Sequence, residues 1–188
     1  MRLFYAVPAS EEVCRIVWNA LQRFPISDPP WKWIPPENYH LTLKFLGEVT
    51  EDRLTSLNDS GVLVASQVRT FSISLSRFGG FPSLSSPRVI FYDLEKGFGE
   101  LRSLAGMLER EMERLGFKIE QRPFRAHLTL ARIKRSLPPE LREVIKSVPS
   151  LPSSTVQEVN RFVLMRSHLS RSGARYEEIN SFELAKSS

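Results

Sequence analysis

Apolar residues along the chain alternate between two spacings, and the alternation repeats. Leu3 to Val7 is a short unbroken apolar run that predicts a strand, and Val13, Ile16, Val17, Ala20, Leu21 and Phe24 then recur at helical spacing. Ser10, followed by Glu11 and Glu12, supplies a cap and an acidic first turn for that helix. Later, Val89 to Leu94 reads as a strand, and Leu101, Leu104, Ala105, Leu108, Met112 and Leu115 form a second helical stripe ended by Gly116. Each pair runs into another strand, near residues 39–46 and 124–132. Strand, helix and strand thus occur twice, which points to internal duplication.

Beyond each repeat the order continues. A helix is expected near Glu51 to Val68, then a half-buried strand carrying Phe71, Ile73 and Leu75. A helix from about Pro139 to Val148 precedes strands at Val159 to Met165 and Tyr176 to Leu184. Pro29-Pro30, Pro35-Pro36, Gly79-Gly80-Phe81-Pro82 through Pro87, and Pro149 to Ser154 read as loops, and the final Lys186-Ser187-Ser188 as a frayed end. Helices on one face of each of two antiparallel-rich sheets would bury both cores.

The predicted third strand of each repeat carries the same four residues, His40-Leu41-Thr42-Leu43 and His127-Leu128-Thr129-Leu130, which hold two of the chain's three histidines. In a strand, side chains at i and i+2 share a face. The leucines then anchor each strand while imidazole and hydroxyl project together, and a twofold relation between the halves sets the two imidazoles across a cleft. A single His-x-Thr is ordinarily a polar strand edge; its duplication in parallel surroundings favours a shared site. Paired imidazoles suit in-line substitution at phosphorus, where one group takes a proton from the incoming oxygen and another protonates the departing one. The unperturbed imidazole pKa near 6.5 allows both tasks. Threonine hydroxyls and an arginine can hold the phosphoryl oxygens. No metal-ligand spacing of histidine, cysteine or carboxylates occurs, which disfavours a metal hydrolase.

Composition narrows the setting. At 188 residues, 41 % hydrophobic and 25 % charged, the chain suits one globular domain or two closely packed halves. No apolar run is long enough for a membrane span or a signal-peptide core, so a cytoplasmic protein is expected. A net charge of +5 favours an anionic partner such as RNA or nucleotides. Arg122, Arg125, Arg132, Lys134 and Arg135 bracket the second motif without an acid among them, whereas Glu109, Glu111 and Glu113 alternate with Arg110, Arg114 and Lys118 as on a solvated helix face. Lone Cys14 reads as part of the buried face of its helix, and His168 as a surface or loop residue.

The stretches Trp33-x-Pro35-Pro36-Glu37-Asn38-Tyr39-His40-Leu41-Thr42-Leu43-Lys44-Phe45-Leu46-Gly47 and Pro123-Phe124-Arg125-Ala126-His127-Leu128-Thr129-Leu130-Ala131-Arg132 resemble the two-histidine phosphoesterases, within them the RNA 2',3'-cyclic phosphodiesterases, also called 2'-5' RNA ligases. Leu164-x-x-Ser167, Gly173-x-x-Tyr176 and Phe182-x-Leu184 extend the likeness to the tail. The resemblance implies a single bilobal α+β domain over residues 1–188, with two pseudo-symmetric halves, each an antiparallel-rich sheet with helices, and an active groove between them. It implies hydrolysis of RNA terminal 2',3'-cyclic phosphate to a 2'-phosphate, without metal or cofactor, by a monomer acting on RNA ends or nucleotides, tRNA fragments among them. His40 would be the acid protonating the 3'-oxygen, and His127 the base activating water. Thr42 and Thr129 would hold phosphate oxygens, Arg132 would add charge, and Phe45 would stack on a nucleobase. Strict alternation puts Phe45 and Arg132 on the face opposite their histidines, so both roles need the strand to bend after the threonine. Ala126 stands where many relatives have proline. Ligation through a 2'-5' linkage and a non-catalytic RNA-binding module are the alternatives, and no adenylation or phosphate-loop motif supports the first.

Overall fold

Both strand–helix–strand repeats form where the apolar spacing predicts them. In chain order the elements are β1 (Arg2–Pro8), α1 (Glu11–Gln22), β2 (His40–Glu48), α2 (Leu54–Ser66), β3 (Phe71–Phe81), β4 (Val89–Lys96), α3 (Phe98–Arg114), β5 (His127–Arg132), α4 (Pro139–Lys146), β6 (Val156–Val159), β7 (Arg161–Ser170) and β8 (Gly173–Glu183). This computed structural model describes residues 1–23, 29, 31–134, 136–146, 148, 150–170 and 173–186. Phe24, Pro30, Arg135, Pro149, Ser187 and Ser188 lie outside the described residues.

The strands make an α+β fold around one antiparallel sheet in the order β6-β3-β4-β5-β2-β1-β7-β8. The order reads outward from its centre as motif strand, first strand of the repeat, and two flanking strands on either side. The two sheets expected from the sequence are therefore joined edge to edge, through the pairing of Leu41 with Leu128. Past that pair the motif strands part, and the segment at Trp33 and Ile34 bonds to β5 instead, with Ile34 N–H donating to the Leu130 carbonyl at 2.7 Å. The run from Val159 to Met165 is two strands rather than one. Asn160 separates β6, at one edge of the sheet, from β7, next to the opposite edge. A one-residue joint can make that passage only in a curled sheet whose edges converge.

Helices lock the halves from behind. Ser10 caps α1 by accepting from Val13 N–H at 3.2 Å, and its own N–H donates to the Gln157 side chain on β6 at 2.8 Å. The Tyr5 hydroxyl of β1 donates to the Leu57 carbonyl of α2 at 2.7 Å. From β2, buried Lys44 places its ammonium 2.6 Å from the Glu109 carboxylate of α3 and 2.8 Å from the Lys118 carbonyl. Glu109 is thus not on a solvated face, as its alternation with arginines suggested; the same carboxylate oxygen also accepts from Glu120 N–H. Cys14 packs against the core, with its thiol directed at the Pro36 carbonyl, and burial raises its pKa.

One loop expectation is corrected. Gly79, Gly80 and Phe81 continue β3 and pair with Phe91, Ile90 and Val89. A Cβ at Gly79 would stand 2.6 Å from the Phe91 ring, so this glycine serves a close ring-to-backbone approach rather than a turn. His168 is also in a strand, paired with Arg175, and remains at the surface with Nε2 2.7 Å from the Glu177 carboxylate.

Removing one member of a buried ion pair strands the other charge. Glu109→Ala is expected to destabilise the fold by about 3 kcal/mol in urea unfolding. The double variant Lys44→Met/Glu109→Ala should recover most of the loss, and equal losses in both would show that the loss does not come from a stranded ammonium.

Candidate active site

The seam between β2 and β5 gathers the chemistry. Leu41 and Leu128 sit at its centre, 1 % and 0 % exposed, and they fix the register. In an antiparallel pair that register turns His40 towards Thr129 and His127 towards Thr42 on one face, where all four are half-buried. His127 and Arg132 are close enough to His40 to act electrostatically on its imidazole.

Phe45 and Arg132 reach this face through matching irregularities. On β2, Thr42 pairs with Ala6 and Phe45 with Phe4, so Leu43 is an extra residue in the ladder. On β5, Thr129 pairs with Phe91 and Arg132 with Val89, so Leu130 is extra. Ala6 with Phe4, and Phe91 with Val89, each lie two apart on a regular strand and share a face. Their partners therefore do too. A bulge at the third residue after each histidine resets the alternation, burying Lys44 and leaving Phe45 47 % exposed. The bend that both roles required is present in each motif.

Each imidazole is held in the same way. His40 Nδ1 lies 2.8 Å from the Asn38 carbonyl, and His127 Nδ1 lies 2.7 Å from the Arg125 carbonyl. A carbonyl oxygen only accepts, so Nδ1–H donates in both residues and Nε2 is the nitrogen that gains and loses a proton. Two rings brace each histidine. Phe4 and Tyr176 stand 5.0 and 4.9 Å from His40 by centroid, and Phe81 and Phe91 stand 5.1 and 5.2 Å from His127. Burial among these rings pushes the His40 pKa down to about 4. The positive charges of Arg132 and His127 press the same way, against the Asn38 carbonyl. Burial also lowers the His127 pKa, with Arg125 and Arg132 adding to it and the Asp93 carboxylate opposing.

The halves differ in charge. Arg125 lies 4.4 Å above the Phe81 ring and 3.6 Å from Asp93. The corresponding residue, two before His40, is Asn38, which bonds to the Ala174 carbonyl at 3.1 Å. The sequence reading did not place Phe4, Phe81, Phe91, Tyr176 or Asp93 in the site. A signal existed for two of them: Leu3-Phe4-Tyr5 recurs as Ile90-Phe91-Tyr92 on the equivalent strands. Among the described residues, no three of His, Cys, Asp and Glu cluster to hold a metal ion, and no helix is long and apolar enough to cross a membrane.

The chain as a whole is similar to known proteins. The family model described as LigT like Phosphoesterase matches the chain twice, over residues 11–91 and 94–176. An RNA 2',3'-cyclic phosphodiesterase of Archaeoglobus fulgidus is 35 % identical over 184 residues, covering 97 % of this chain and 100 % of the relative. One from Bacillus subtilis is 31 % identical, covering 97 % and 96 %. Among solved structures, TT0787 of Thermus thermophilus is similar with a TM-score of 0.81 and 34 % identity over 98 % of each chain. E. coli LigT complexed with 3'-AMP is similar at a TM-score of 0.74 and 27 % identity over 97 % of each.

Two measurements follow from the geometry. In an NMR titration with nitrogen detection, neutral His40 and His127 should both show the Nδ1–H tautomer, with His40 titrating near pH 4 and His127 below 6.5. An Nε2–H tautomer in either would overturn the holding bonds. Because the folded pKa values lie below the unfolded one, the unfolded chain binds more protons between these limits. Their stabilising contribution is thus present above pH 6.5 and lost as pH falls towards 4. Thermal melts should show the drop, reduced in His40→Gln.

Proposed function

The chain belongs to the LigT-like phosphoesterase family, and we propose that it is an RNA 2',3'-cyclic phosphodiesterase in which His40 and His127 form one acid–base pair. The observation that carries this reading is the matched anchoring of both imidazoles by Nδ1, which leaves two Nε2 atoms free on one face of the β2–β5 seam. The bulged positions differ between the halves, and in this reading His40 is the acid on the leaving side and His127 the base on the entering side. Exposed Phe45 supplies a stacking surface on β2, and Arg132 supplies positive charge at the equivalent place on β5.

With the terminal base on Phe45, the 3'-oxygen faces His40 and water approaches past His127. Water oxygen bonds to phosphorus as His127 Nε2 takes its proton. The bond from phosphorus to the 3'-oxygen breaks, and that oxygen takes the proton of His40 Nε2. The product is a 2'-phosphate with a free 3'-hydroxyl, and proton exchange with solvent resets both imidazoles. Thr42 and Thr129 hydrogen-bond the non-bridging oxygens, and Arg132 offsets their charge. The chain's own groups cover every proton transfer in this sequence.

Burial keeps both imidazoles neutral near pH 7 in the free protein, so the acid form of His40 forms with the substrate. An anionic phosphate lodged between the rings favours proton uptake. RNA ends and nucleotides carrying 2',3'-cyclic phosphate are the partners, tRNA fragments among them. The enzyme works as a cytoplasmic monomer. The twofold match of the family model supports reading residues 1–188 as one duplicated, bilobal domain.

In EDTA, a short RNA ending in a 2',3'-cyclic phosphate should be converted to a 2'-phosphate, located by phosphorus NMR. His40→Ala and His127→Ala should each lose about 10²- to 10⁴-fold in kcat. A 3'-phosphate product would reverse the groove, and binding without turnover would indicate an RNA-binding module. The pH profile of kcat/KM should be bell-shaped and peak on the acid side of 6.5, since it reports imidazoles whose pKa values are lowered in the free protein. The kcat optimum should lie higher, because bound phosphate raises those values. A kcat/KM optimum on the alkaline side would exclude this pair as the acid and base.

A further inference from the structure

We propose that Arg125, lying on the Phe81 ring, is a stacking subsite for the nucleotide that precedes the reacting RNA end. The site then reads the chain and not the terminal nucleoside alone. This rests on the phosphodiesterase reading above.

The Arg125 guanidinium is 4.4 Å from the Phe81 ring centroid and 5.5 Å from that of Phe91. Both rings lie against the group. Asp93 stands 3.6 Å from a guanidinium nitrogen, which orients the group and offsets part of its charge. The side chain is nevertheless 56 % exposed, so the guanidinium is accessible to a ligand. A guanidinium backed by a ring and partly matched by a carboxylate offers a plane more than a point charge. Charge for the phosphate already comes from Arg132, on the same face as His127 and Thr129.

The equivalent residue of the other half makes no such plane. Asn38 spends its side-chain amide on the Ala174 carbonyl, and the stacking surface there is Phe45. The seam therefore carries two unlike surfaces, Phe45 on β2 and Arg125 just ahead of β5. A terminal nucleoside occupies one. An oligonucleotide carries a further base that can settle on the second, whereas a cyclic mononucleotide does not. Stacking reads the flat face of a base and not its edges, so this subsite selects for chain length with little base preference.

The test titrates wild type, Arg125→Gln and Arg125→Lys with a nucleoside 2'-phosphate and with a trinucleotide ending in a 2'-phosphate. These are product mimics whose binding needs no turnover. Wild type should bind the trinucleotide about tenfold more tightly or better, and both variants should lose most of that advantage, because lysine keeps the charge without the plane. The proposal is overturned by equal affinities in wild type, by an advantage retained in Arg125→Lys, or by equal weakening of both ligands in the variants. If the trinucleotide advantage behaves as expected while cyclic phosphate is not hydrolysed, the phosphodiesterase reading falls and the stacking subsite stands.

Discussion

The antiparallel contact between β2 and β5 is the constraint on which the site depends. It is narrow, centred on Leu41 and Leu128, yet it sets which motif residues confront each other. A slip of one residue would turn one motif strand over against the other, sending its imidazole into the core and its leucines into the groove. The register is defended from behind, where Lys44 is fixed to Glu109 of α3, and from the side, where Ile34 bonds to β5 just past the seam. Since α3 arises between β4 and β5 but packs behind β2, and Ser10 at the start of α1 bonds to Gln157 of β6, each half of the sheet is tied to an element that the other half supplies. The halves cannot shift without breaking those contacts, so the spacing of the two histidines is a property of the whole fold.

Burial gives the imidazoles their chemical character. The rings that brace His40 and His127 also strip water from them, which disfavours the charged form and lowers both pKa values. Holding Nδ1 on a backbone carbonyl works against that loss, because the bond is stronger when the ring is charged. The balance favours the neutral form of both imidazoles. Asp93 acts on one side of the seam only, so the two histidines are alike in geometry and unlike in electrostatic setting.

Much of this was legible in the sequence, for a definite reason. Apolar period specifies strands and helices locally, and the repeated His-Leu-Thr-Leu names the strands that matter, so both repeats and the two histidines could be read directly. The bulges were harder to see. In β5, adjacent apolar Leu130 and Ala131 break the alternation and hint at an extra residue. In β2 the same break is occupied by Lys44, which looks solvated until Glu109 is brought to it by the fold. Gly79-Gly80 looked like a turn because the ring it accommodates, Phe91, belongs to another strand. Likewise, nothing local in Val156 to Met165 marks Asn160 as a joint between opposite edges of the sheet. The misread features are those whose cause is a partner far along the chain.

A near-symmetric scaffold poses a problem for catalysis, because in-line displacement has an entering side and a leaving side. In the proposed mechanism the halves differ at positions that the symmetry itself defines. Five residues after each histidine stand Phe45 and Arg132, and two residues before stand Asn38 and Arg125. Backbone at these points is equivalent in both halves: the bulges match, and the carbonyls of Asn38 and Arg125 hold their imidazoles alike. Only the side chains differ, and they differ in what they can bind, a ring against a cation and an internally bonded amide against a guanidinium backed by a ring. Geometry that must be paired is thus assigned to the repeated backbone. Selectivity that must be one-sided is assigned to side chains that can vary without disturbing it.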